Sequence, residues 1–184
     1  MSIVKGGVTI ERPGTGKVTD VKPGAELLVG DVITIGEGAD AQLVLPDSAF
    51  VNLAPGASLR VNQYSFDPGS EKRMVFVRLM RGKARFVVYN RMSHDSAVIV
   101  ETDSARVTAS GTVDFVMNVM ADATETLALS GFVRVNNSSD FVVGTVSLGE
   151  NLMTIVKAKT PPSGPVAMNR RQRKEYIRRV RQSR

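Results

Sequence analysis

The chain has 184 residues, 42% of them hydrophobic and 23% charged, proportions that exclude a disordered or fibrous body and suit one domain with a sizeable core. Cysteine is absent and histidine occurs once, which excludes disulfides and thiolate metal sites. The net charge of +6 is unevenly placed: residues 169–184 hold seven Arg, one Lys and one Glu, leaving sixteen basic against seventeen acidic residues in 1–168, so the basic character belongs to the tail and does not mark the body as a nucleic-acid binder.

Met1 to Gly7 lack the charged head and apolar stretch of a secretory signal, so an export signal is not visible in this sequence. No apolar run approaches the roughly 20 residues that cross a bilayer as a helix. From Val8 to Val156 apolar and polar residues alternate at period two, as in Val32-Ile33-Thr34-Ile35, Ala41 to Leu45, Phe50 to Leu53, Ser58 to Val61, Arg85 to Val88 and Phe132 to Val135. That period predicts strands with one buried face. Four of the eight prolines precede glycine, at Pro13-Gly14, Pro23-Gly24, Pro55-Gly56 and Pro68-Gly69. The dipeptide favours a type II turn, because proline presets the first central residue and glycine accepts the positive φ of the second. A looser regularity places apolar residues two and four positions after Gly6, Gly82, Gly111, Gly131 and Gly144. Each such glycine is expected to mark a corner or a close backbone approach before a strand. The spacing is too irregular for a strict repeat and leaves a short twisted solenoid and a sandwich equally open.

Lys159 to Pro165 holds three prolines in five positions and predicts an extended linker. Beyond it, Asn169 is placed to cap a helix starting at Arg170, with Gln172 completing a capping box. Met168, Tyr176, Ile177 and Val180 form a narrow apolar stripe, and arginines fill the remainder. A helix this short is marginal alone, and its like charges repel, so something must order it.

In chain order the body resembles the bacterial FecR family. The family's Leu-x-x-Gly-Asp-x-Ile-x-Thr-Gly is matched by Leu27, Gly30-Asp31, Ile33, Thr34 and Gly36, and its hairpin by Ala41 to Leu45, Asp47-Ser48-Ala49 and Phe50 to Leu53. Leu79-Met80-Arg81-Gly82, Thr102 to Phe115, Gly131 to Val135 and Leu148-Gly149-Glu150 complete the set, which spans roughly residues 6–155. Ser48 stands where the family has glycine, so that turn is expected to differ. The family's regulators place an anti-sigma segment and a transmembrane helix before this domain, and neither is in this sequence. The resemblance therefore implies a periplasmic or envelope-facing domain that binds other proteins rather than a whole transmembrane regulator.

Chemistry-bearing residues are sparse. Ser93-His94-Asp95 are adjacent in sequence, whereas triad residues must converge on one reacting atom from separated positions; a solvated loop is expected. Asp31, Asp40, Asp47 and Asp67 lack EF-hand spacing and read as turn formers. Gly30-Asp31 and Gly111-Thr112 lack the phosphate-loop pattern and read as corners. Arg81, Lys83 and Arg85 alternate and so are expected to share a strand face.

The expected architecture is all-β, with short strands in a twisted solenoid-like or sandwich arrangement plus a basic C-terminal α-helix. Its parts are a body (1–158), a Pro-rich linker (159–168) and a helical tail (169–184). No enzyme activity, cofactor or metal is expected. The expected partners are other proteins, one with an acidic groove for the tail residues Arg170, Arg171, Arg173, Lys174, Tyr176, Ile177, Arg178, Arg179 and Arg181. Arg81, Lys83 and Arg85 form a weaker second surface. Nucleic acid or anionic lipid is the lesser expectation for the tail, with a cytoplasmic location attached to the former, and a homo- or hetero-oligomer is left open.

Overall fold

In the computed structural model, residues 3–15, 18–45, 49–88 and 96–180 are described, without the side chains of Ile3 and Arg179. Sixteen strands occur among them. The first seven are β1 (Ile3–Lys5), β2 (Val8–Glu11), β3 (Val18–Asp20), β4 (Val32–Ile35), β5 (Asp40–Val44), β6 (Phe50–Leu53) and β7 (Ser58–Asp67). Then follow β8 (Lys72–Val88), β9 (Ala97–Glu101), β10 (Ala105–Ala109), β11 (Val113–Val119), β12 (Ala123–Ser130), β13 (Val133–Asn137), β14 (Thr145–Leu148), β15 (Leu152–Lys157) and β16 (Val166–Ala167). A short helix α1 (Arg170–Tyr176) and a 3-10 turn (Arg178–Val180) end the described chain.

Strand β8 organises the rest. Its 17 residues would run about 55 Å if straight, far beyond its neighbours, so it bends and serves two sheets. Sheet I has the order β3-β2-β4-β7-β8-β9-β10-β13-β14 and uses the first half of β8. Sheet II has the order β1-β5-β6-β8-β11-β12-β15-β16 and uses the second half. All pairings are antiparallel except β8 with β9.

The two sheets face each other across one core, as in a sandwich. Sheet I contributes Val8, Ile33, Leu59, Val77, Val100, Val107 and Val135, while sheet II contributes Leu43, Leu53, Phe86, Phe115 and Val156. Phe86 and Phe115 stack with ring centroids 5.1 Å apart. Core residues of β8 are Val75, Val77 and Leu79 before the bend, then Ala84, Phe86 and Val88 after it. The parity has switched, which an unbroken period-two strand cannot do, and the ladder with β7 slips at Ser58 and Leu59 to absorb the extra residue.

Gly82 makes the bend. Its φ is +77°, in the left-handed region that side-chain-bearing residues resist, and a Cβ there would lie 2.7 Å from the Ala57 Cα. The other four glycines of the sequence regularity, Gly6, Gly111, Gly131 and Gly144, also have positive φ. Three of the four Pro-Gly turns follow the expected geometry. Pro68-Gly69 does not: Asp67 accepts hydrogen bonds there from the Gly69 N–H and the Ser70 hydroxyl, and Glu71 takes the positive φ.

Polar clips close one end. The Thr102 and Ser104 hydroxyls, in the β9–β10 turn of sheet I, lie 2.7 and 2.9 Å from the Thr124 hydroxyl on β12 of sheet II. Asn137, at the end of β13, donates to the carbonyls of Lys157 and Thr160. Burying a hydroxyl or amide without a partner is costly, so these pairs favour one register between the sheets.

Replacing Gly82 with Ala is expected to destabilise the protein by about 2 kcal/mol or more, through left-handed strain and the approach to Ala57. Urea denaturation measures this; an unchanged midpoint contradicts the role given to the bend.

Candidate partner-binding surface

The tail is seated on the outer face of sheet II. Asn169 caps α1 by accepting hydrogen bonds from the N–H groups of Arg171 and Gln172, while the Gln172 side chain accepts from the Asn169 N–H. The expected capping box is present. The stretch before it is not a loose spacer: Ser163 hydrogen bonds with Thr154 and Ile155, and β16 pairs with β15. The Met168 N–H then donates to the Asn151 carbonyl, which delivers the helix to the sheet.

Three apolar residues anchor it. Val180 is 1% exposed and packs in a cluster with Ala54 and Val116, joined by Leu129, Tyr176 and Ile177. Burying a valine contributes about 1.5 kcal/mol. Lys83 reaches up from β8, its Nζ 3.8 Å from the centre of the Tyr176 ring and 3.0 Å from the Tyr176 carbonyl oxygen. A desolvated ammonium over an aromatic face contributes about 1–2 kcal/mol. Asn52 donates to the Val180 carbonyl at 3.5 Å, and Arg173 meets Asn151 and Glu150. Burial, with Glu125 nearby, raises the Tyr176 phenol above its usual range.

The sequence-predicted residues therefore divide into two sets. Arg173, Tyr176 and Ile177 turn toward the body, which is what orders the tail. Arg170, Arg171, Lys174 and Arg178 remain exposed. The side chain of Arg179, together with Arg181, lies outside the described residues, as do His94 and its neighbours Ser93 and Asp95, Asp47 and Ser48.

Arg81 does not share a face of β8 with Lys83 and Arg85. The Gly82 bend lies between Arg81, which pairs opposite Ser58 in sheet I, and Lys83, which pairs opposite Asn118 in sheet II. Lys83 is occupied by the tail, and Arg85 makes a bidentate pair with Asp114 at 2.8 and 2.6 Å. The simple alternation failed because the bend switches parity. Elsewhere, acidic residues hold turns: Asp31, 1% exposed, accepts from the Leu28 N–H and lies 3.6 Å from the Arg12 Nε. Hydrogen bonds from Ser70 and then Gly69 hold the Asp67 carboxyl below its usual range.

An apolar cavity of about 440 Å³ lies at one end of the sheets, with Leu43, Val51, Leu59, Val77 and Phe86 in its lining. Its charged or hydroxyl-bearing lining residues are Glu26, Tyr64 and Arg73. Among the described residues no group of three His, Cys, Asp or Glu side chains gathers to hold a metal, and no helix is long and apolar enough to cross a membrane.

Two sheets joined through one bent strand, with a capped Gly30-Asp31 corner and a Thr102-to-Ala105 turn, define a two-sheet β-domain of the kind the motifs suggested. The chain belongs to the FecR protein family, whose model matches residues 31–134. The fold is similar to two crystal structures of a "putative anti-sigma factor from Parabacteroides distasonis ATCC 8503". One has a TM-score of 0.59 at 22% identity, the other 0.58 at 23%. Each match covers 79% of this chain, and 63% and 62% of the respective structures, so the chain spans less than two thirds of that protein. No curated protein matches.

Because the folded phenol of Tyr176 holds its proton more tightly than an ordinary tyrosine with pKa 10.0, the contribution of this group to the seat is fully present below pH 10. It weakens above that, as the released phenol ionises and the buried one does not. A phenolate absorbance titration is expected to show one tyrosine ionising late, and Tyr176→Phe removes that late step. A late step that survives the substitution contradicts the burial.

Proposed function

We propose that this chain is a non-enzymatic, protein-binding component of signalling in the bacterial cell envelope, facing the periplasm and serving as the regulatory or scaffold part of a larger assembly. The observation that carries the reading is the FecR match across the body, residues 31–134. The likeness to proteins described as anti-sigma factors supports the fold of such a regulator. Control of a sigma factor would require a longer protein than the part matched here, and it belongs to the proposal in that form only.

The surface assigned to the partner is the exposed side of the tail, Arg170, Arg171, Lys174 and Arg178, with Arg81 at the bend a weaker addition. Arginine forks suit carboxylates, which give direction as well as attraction. Arg173, Tyr176 and Ile177 serve the same surface indirectly by seating it.

A photo-crosslinking amino acid at position 174, in cells producing the chain, tests this reading. The expected result is a discrete protein adduct in the periplasmic or envelope fraction, lost in the Arg170→Glu, Arg171→Glu double variant. Recovery of the chain in the cytoplasm alone, or adducts to nucleic acid alone, contradicts it.

A further inference from the structure

We infer that the seated tail is a preformed cationic ridge whose partner is an acidic helical segment of another protein, and that seating on sheet II is required for recognition. This rests on the protein-binding reading above and names the partner's chemistry. Positions 170, 171 and 174, all on α1, fall within about a 100° arc at 3.6 residues per turn, and Arg178 follows in the 3-10 turn. All four are exposed. On α1 the ridge runs about 6 Å along the helix axis, from Arg170 to Lys174.

The ridge contradicts what an isolated helix favours. Arg170 with Lys174, and Lys174 with Arg178, are like charges four residues apart, and the first turn has no acidic residue. Among the described residues, Glu175 on α1 pairs with Arg178 in the 3-10 turn at 3.3 Å, both more than 60% exposed. A free segment of this composition would not hold the four cations in register. Here the Val180 cluster and the Lys83 ammonium on the Tyr176 ring hold them from below. Fixing a binding surface before the partner arrives removes its ordering cost from the affinity.

Three features select an acidic protein segment. The apolar side of the helix is spent on sheet II, leaving nothing to enter a lipid interface. Glu150 and Glu175 interrupt the positive field beside the ridge, at 64% and 69% exposure, which disfavours a continuous phosphate track. Cations at intervals of three to four residues complement a helix carrying carboxylates at the same intervals, and the arginine forks take them in pairs.

The test is fluorescence anisotropy with the full chain and a labelled helical peptide of about sixteen residues bearing Glu at every fourth position. Duplex DNA and phosphatidylglycerol vesicles serve as alternative probes. The peptide is expected to bind, and the R170E/R171E/K174E variant to weaken binding at least about tenfold. Val180→Asp, which unseats the ridge without touching it, is expected to weaken binding comparably, while Arg60→Glu, far along sheet I, leaves it unchanged. Thermal unfolding reports whether V180D keeps its body; if it does not, Lys83→Met makes the same test without a charge in the cluster. Absent peptide binding, undiminished binding by an unseated tail, or preference for DNA or vesicles overturns the inference. If the peptide fails while protein adducts at position 174 persist, the acidic-helix inference falls and the protein-binding reading stands; loss of both removes both.

Discussion

Strand β8 belongs to both sheets, and it can pass between them because Gly82 adopts a backbone conformation that other residues resist, against the Ala57 backbone. The residues before the bend point alternate side chains into the core with one parity and those after it with the other. A single hydrogen-bonded strand thereby ties the two sheets together. The Thr102–Thr124–Ser104 hydroxyl group and the Asn137 amide then close one end. With the sheets fixed, the outer face of sheet II becomes a defined platform.

The functional surface depends on that platform. The bend sends Lys83 outward in sheet II, where its ammonium holds the Tyr176 ring, and β11 supplies Val116 to the cluster around Val180. An amphipathic tail on a neutral body could bind lipid, nucleic acid or protein. Once its apolar side is committed to the chain's own sheet, what it offers outside is charge in a fixed arrangement. The body orders the tail, and the tail carries the basicity that the whole-chain charge obscured.

Much of this was legible in the sequence. The period-two strands, the glycine corners, the capping box at Asn169 and the family motifs follow from local chemistry, and Asp31 proves to be the buried cap of the Gly30-Asp31 corner. The parity switch was not legible, because alternation places Arg81 with Lys83 and Arg85 unless the strand is known to change sheets. The seat of the tail was missed for a related reason. A signal existed: Phe115-Val116-Met117 and Leu127-Ala128-Leu129 are consecutive apolar triplets, which break the alternation of a strand with one solvated face. They mark β11 and β12 as covered on both sides. Which segment covers them depends on tertiary packing, which period alone does not encode.

The account stands on the tail being held by its own body in the free protein. Proton–proton NOE spectroscopy on a dilute sample tests that most directly. Cross-peaks from the Tyr176 ring to the Lys83 side-chain methylenes, and from the Val180 methyls to those of Val116, are the predicted result. Random-coil shifts for Tyr176 and Val180, with no such cross-peaks, would contradict it.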